Sequence, residues 1–227
     1  MAFMTGPVPR HPRRTDALTR QRIVEATIEI LDTAGEGELT VRALTAHLST
    51  GRGAIYHHVA NKDEMLAAAT DAVISRVLAD AAGDEDPKRV IRTLALGIFN
   101  AIDEHPWVGT QLSREPWQPA VGQIWTSAGR QLQRLGVTGP ALSDAGAALV
   151  NYVLGSAAQY AAGARRASDD AARRDFLQTL ATTWTQADAD PLVHDAASQL
   201  REHDDQEQFL AGVDIFLAGI TARLDLT

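Results

Sequence analysis

TVRALTAHLSTGRGAIYHHVANKDEML, residues 40–66, decides the fold. Thr40 stands where its hydroxyl can accept a free backbone N–H at a helix start, and Val41, Leu44 and Leu48 follow along that helix. Ser49-Thr50-Gly51 breaks it. A short second helix runs from about Arg52 to Val59, with Ile55 and Val59 one turn apart on its inner face. Asn61-Lys62-Asp63-Glu64 then opens a third helix, with an N-cap Asn, a Glu three residues on, and acidic side chains where the helix dipole favours them. Two short helices joined by a tight turn, apolar within and polar without, make a helix-turn-helix.

Upstream, Leu18, Ile23, Thr27, Ile30, Leu31 and Ala34 keep helical spacing until Gly35 and Gly37 stop the run. Residues 1–17 carry Arg10, Arg13 and Arg14 among several prolines and read as a disordered basic arm, either a solvated tail or a DNA contact. Downstream, helical segments are punctuated at Gly83–Pro87, His105-Pro106, Glu115-Pro116, Gly136–Pro140, Ser168–Asp170, Asp190-Pro191 and His203–Asp205. No repeat and no strand-like alternation occurs, so the expected fold is all-α. A three-helix helix-turn-helix DNA-binding domain, residues 18–62, precedes a larger helical domain, residues 63–227, to which the family resemblance of the motif assigns effector binding and dimerisation.

Composition narrows the function. The absence of Cys excludes disulfide scaffolds, thiolate zinc sites and cysteine nucleophiles. The N-terminal stretch lacks a signal-peptide core, and nowhere do about 18 uninterrupted apolar residues occur, so a cytoplasmic protein with no membrane partner is expected. The net charge of −8 argues against a general polyanion binder, but its distribution is uneven. Residues 1–62 hold eight Lys/Arg against six Asp/Glu, and the remainder holds thirteen against twenty-three. The N-terminal end is the one suited to phosphate.

On the helix-turn-helix, Arg52, Tyr56, His57 and His58 occupy the polar face, with Arg42 before it and Lys62 after it. Hydrogen-bond donors and a flat aromatic ring suit a major groove, and flanking cations suit phosphates on either side. Arg52 and His57 are the candidate base readers, with a phosphate contact as the alternative for Arg52 because it stands at the start of the helix. His58 is balanced between DNA contact and a hydrogen bond inside the domain.

These residues resemble the TetR family of transcriptional regulators over residues 18–78: a first helix ending at Gly, a Thr-capped second helix, the Ile-Tyr-His-His-Val core and the Asn-Lys-Asp-Glu exit. Many members carry Gly in the turn where this chain has Ser49. The resemblance implies that Tyr56 packs on the sugar-phosphate backbone, that Lys62 meets a phosphate at its helix N-terminus, and that Gly53 and Ala54 allow close approach to the groove. It further implies a homodimer on a palindromic double-stranded operator, recognition helices about 34–36 Å apart, and release by a small-molecule effector. Repression is the family's default direction; activation stays open.

In the second half, PLVHDAASQL (191–200), FLAGVDIFLAGITARL (209–224) and QLSREPWQ (111–118) resemble the tetracycline-repressor branch. Under that likeness Gln111 stands where the branch has a magnesium-binding His, and Gln159 where it has an acidic residue of the same shell. Glutamine is a poor magnesium ligand, so neither metal nor cofactor is expected. Trp107, Trp117, Trp125 and Tyr152, with Ile98 and Ile124, are candidates to line an apolar effector pocket, and Gln111, Asn151 and Gln159 to anchor a ligand. The competing reading makes the aromatics simple core. Leu149 and Val153, with the stripe Phe209, Val213, Phe216, Leu217 and Ile220, are the candidate dimer interface.

Other classes find less support. His105, His194 and His203 have no metal-binding spacing. An enzyme, with Asp204, Asp205 or His105 as acid or base, is not expected, because nothing assembles a nucleophile, a base and an orienting group, and Gly51-Arg52-Gly53 follows a helix rather than the strand a phosphate loop requires.

Overall fold

The computed structural model describes residues 18–81, 85–164, 170–201 and 203–224. The basic arm and the cations Arg10, Arg13 and Arg14 lie outside them. Among the described residues all regular structure is helical. Helix α1 (Arg20–Ala34) starts where the Thr19 hydroxyl accepts the Arg22 N–H at 3.2 Å, and ends at Gly35, whose φ of 80° suits a residue without Cβ. A 3-10 turn, Glu36–Glu38, leads to α2 (Val41–His47), capped by Thr40 on the Ala43 N–H at 3.0 Å. The turn onto α3 (Arg52–Tyr56) passes through Ser49 at φ 49°, a left-handed conformation. Regular α3 is shorter than the 52–59 expected, although the Val59 N–H still donates to the Ile55 carbonyl. The chain then has to become extended at Asn61, the N-cap of α4 (Lys62–Asp80).

Asn61 Oδ1 accepts the Glu64 N–H at 2.8 Å, and the Glu64 carboxylate reaches back to the Ala60 N–H at 2.7 Å. This reciprocal cap fixes where α4 begins. At nineteen residues, about 28 Å, α4 runs from the helix-turn-helix into the rest of the molecule, packing on α1 at one end and on α5 (Pro87–Glu104) and α7 (Pro119–Arg134) at the other. Proline opens α5, α6 (Pro106–Arg114) and α7, where a missing N–H leaves no bond unmade. The remaining helices are α8 (Gly139–Ala164), α9 (Asp170–Ala187), α10 (Pro191–Arg201) and α11 (Asp205–Leu224). The α9–α10 pair packs on itself as a hairpin.

Helix α5 sits at the centre, against α4, α6, α7, α8 and α11. Phe99 on α5 meets Phe209 of α11 with ring centroids 4.9 Å apart, and Tyr152 of α8 stacks on Phe209 at 5.8 Å. The Tyr152 hydroxyl donates to the Phe209 carbonyl at 2.9 Å, passing so close to Gly212 that a Cβ there would lie 1.9 Å from the oxygen. Only a glycine lets that ring cross α11.

This packing changes the reading of the last helix. Leu149, Val153, Phe209, Val213, Leu217 and Ile220 are buried inside the single chain, and Phe216 is half-buried against the same core. The apolar stripe taken for a dimer interface is therefore interior. A 3.6-residue period shows that one face is covered, without saying whether the cover belongs to the same chain. The faces these helices leave outside carry Ala148, Asn151 and Gly155 on α8 and Ala211, Ile215, Ala218 and Ala222 on α11, with Ile215 75% exposed.

Candidate nucleic-acid interface and the helix behind it

Leu44 of α2, Ile55 of α3 and Val59 are completely or almost completely buried in one core with Ile23 and Leu31 of α1 and Met65 and Leu66 of α4. These contacts fix α3 on its inner side. Arg52, Gly53, Tyr56 and His57, spaced i, i+1, i+4 and i+5, remain exposed on the outer side, and Tyr56 keeps 53% of its surface. Ala54 and His58 are half-buried, the His58 ring meeting His57 edge-on at 5.2 Å. Arg42 is exposed on α2. Lys62 differs from the rest: its Nζ is half-buried and donates to the Glu36 carbonyl at 2.6 Å, tying α4 to the turn after α1. An ammonium has three N–H donors, so this bond leaves two.

A second polar cluster stands behind this unit. Asp32 Oδ1, in the last turn of α1, accepts from His105 Nδ1 at 2.8 Å and from Trp107 Nε1 at 2.7 Å. Four residues on, the Glu36 carboxylate accepts both terminal nitrogens of Arg114 at 2.9 and 3.3 Å, and Gln111 Nε2 approaches it at 3.4 Å. The Arg114 hydrogen bonds hold the Glu36 carboxyl below the usual carboxylate range against a smaller opposing effect of burial; the charges of Arg114 and Lys62 add to them. The guanidinium is correspondingly raised. Sequence reasoning missed Asp32, Glu36 and Arg114, and weighed His105 only for metal or catalysis. Their partners lie some 75 residues away, and no local pattern joins them.

The predicted effector residues do not converge. Ile98 and Ile124 line a buried apolar void with Ile91, Leu94, Ala95, Ala128, Leu149, Val150 and Val153, enclosed by α5, α7 and α8. Its volume is about 10 Å³, room for one water. Trp107 and Gln111, the latter 4% exposed, turn toward the DNA-binding unit instead. Trp117 is 94% exposed, since Pro116 and Pro119 hold it in the loop between α6 and α7. Trp125 lies on α7 beside Gly146 of α8, and Tyr152 belongs to the aromatic stack. Asn151 and Gln159 are on the outer face of α8. Leu94, Val150 and the small residues Ala95 and Ala128 were missed; being ordinary core types, they carry no sequence signal of a void.

Residues 23–69 match the family described as bacterial regulatory proteins, tetR family. A TetR transcriptional regulator from Streptomyces coelicolor, of solved structure, is 46% identical; the match covers 90% of this chain and 98% of that one, with a TM-score of 0.81. The chain belongs to the TetR family. It is a DNA-binding transcriptional regulator rather than an enzyme. An HTH-type transcriptional repressor of Streptomyces coeruleorubidus is 31% identical over 67% of this chain and 57% of its own length. The TetR family protein ActR of Streptomyces coelicolor, solved in complex with actinorhodin, shares the fold at 23% identity and a TM-score of 0.71, over 90% of this chain and 97% of that one. As in a DNA-binding regulator of this family, no helix among the described residues is long and apolar enough to cross a membrane.

Proposed function

We propose that this TetR-family chain is a repressor that binds a palindromic operator as a homodimer and is released by a small-molecule effector. The observation that carries the reading is the outer side of α3: Arg52, Tyr56 and His57 exposed together on a helix whose inner side is locked into the core. Residues 18–62 form the DNA-binding unit. Arg52 and His57 read base edges, Tyr56 packs on the backbone, Gly53 and Ala54 set the close approach, and Arg42 and Lys62 neutralise flanking phosphates, Lys62 through the donors its bond to Glu36 leaves free. His58, half-buried, supports the surface from its edge.

Two copies meet through the outer stripes of α8 and α11, where small residues flank Ile215 and permit close helix approach. The effector site is the apolar space between α5, α7 and α8, around Ile98 and Ile124, and a ligand must widen it to enter. The repressor name of the Streptomyces coeruleorubidus relative and the ligand complex of ActR support repression and ligand control respectively. The test is selection of duplex DNA from a randomised pool by the purified protein. A palindromic consensus bound by two chains is the expected result; an asymmetric site bound by one chain would refute the reading.

A further inference from the structure

Helix α6 is only nine residues long, yet it lies between two bodies. On one side Val108, Gly109 and Leu112 are buried toward α8 and α5, where a Cβ on Gly109 would come within 3.0 Å of Ile102. On the other side its polar residues reach the DNA-binding unit at two separate points. His105 and Trp107, at its N-terminal end, share Asp32 Oδ1; Gln111 and Arg114, at its C-terminal end, share the Glu36 carboxylate. Trp107 and Arg114 are seven residues apart, about 10 Å along the helix. One attachment would act as a pivot, whereas two at that separation fix an angle. Glu36 also holds Lys62, the first residue of α4, through its carbonyl. A single residue thereby joins α4, α6 and the turn leading into α2.

We propose that Glu36 is a positioning residue that sets the angle at which the DNA-binding unit is carried, with Arg114 and Gln111 as its hold on α6 and Asp32 as the second point. A displacement of α6 is then delivered directly to the turn between α1 and α2, in parallel with whatever passes along α4. The role is geometric. A half-exposed carboxylate–guanidinium pair adds little to global stability, but its two parallel N–H···O bonds are directional. This deepens the effector-controlled reading, and its test is independent of operator, effector and dimer.

The chain has no Cys, so two introduced thiols label cleanly. Spin labels at Ala46→Cys on α2 and Gln133→Cys on α7, both exposed positions, report one intramolecular distance when labelled protein is diluted into unlabelled protein. With Glu36 intact, pulsed electron resonance should give one narrow distance. Glu36→Gln, and separately the surface variant Arg114→Gln, should shift its mean or broaden it by about 1–2 Å or more, with the melting temperature unchanged. The charge-exchanged pair Glu36→Arg with Arg114→Glu should restore the narrow distance. An unaltered distribution in Arg114→Gln, or a pair no better restored than its single variants, would overturn the proposal.

Discussion

Ser49 is the one non-glycine residue with positive φ among the described residues, and it stands in the turn of the helix-turn-helix. A Cβ in the left-handed region is strained, and Ser49 is exposed, so the strain has no compensating burial. Ser49→Gly should raise the unfolding free energy by about 0.5–1 kcal/mol, read as a higher denaturant midpoint at constant slope. The departure from the family pattern was visible in the sequence; that it falls on a left-handed residue was not, because local sequence does not give φ. On the selected operator, Arg52→Ala should cost about 1–3 kcal/mol and relax preference at one base pair. Lys62→Ala should weaken binding to all sequences and reduce the salt slope by about one unit. A normal affinity in Arg52→Ala would remove it from the reading set. The exposed face of α3 was legible because Ile55 and Val59 fix which side is buried. The engagement of Lys62 by Glu36 was not, since its acceptor is a backbone carbonyl 26 residues away.

At the scale of elements, boundaries were the most readable feature. Thr40, Asn61 and the prolines opening α5 and α6 act within one turn of themselves, and short-range chemistry is written in short-range sequence. Which helix covers which was less readable. The stripe from Phe209 to Ile220 has the periodicity of an interface and the position of a core, and only the placement of α5 and α8 distinguishes the two. The Tyr152 crossing of α11 is another case: Gly212 looks like a helix-weakening residue until the hydroxyl beside it is seen. Gly212→Ala should therefore destabilise by about 1–3 kcal/mol, despite the better helix propensity of Ala. Pairing it with Tyr152→Phe, which removes the close oxygen and its bond to Phe209, should make the two effects non-additive by thermal melting. Strict additivity would show that the close approach is not the cause.

For the whole molecule, the all-α architecture followed from a chain without strand-like alternation and punctuated at intervals fit for helices. The proposed effector site did not follow. Aromatic residues were taken as its markers, whereas Trp107, Trp117, Trp125 and Tyr152 went to four different environments and the void fell among aliphatic side chains. Assembly follows the same logic: buried residues cannot serve a second copy, so the exposed one should. Ile215→Asp is expected to convert the proposed dimer to monomer in sedimentation while leaving helix content intact, because Ile215 contributes little to the single chain's core. Retention of the dimer would move the interface off α11.

Placing the proposed effector site at the void among Ile98, Ile124 and Val150 also imposes an order of events. A space with room for one water cannot receive a molecule of many atoms until α5, α7 and α8 have drawn apart. Capture of a ligand is then gated by how often the helices open. The observed rate of ligand uptake should climb with concentration and level off at the opening rate, well below the diffusion limit. For the proposed repressor, release from DNA would then respond to how long a ligand persists as well as to how much of it is present, so that brief pulses pass unanswered.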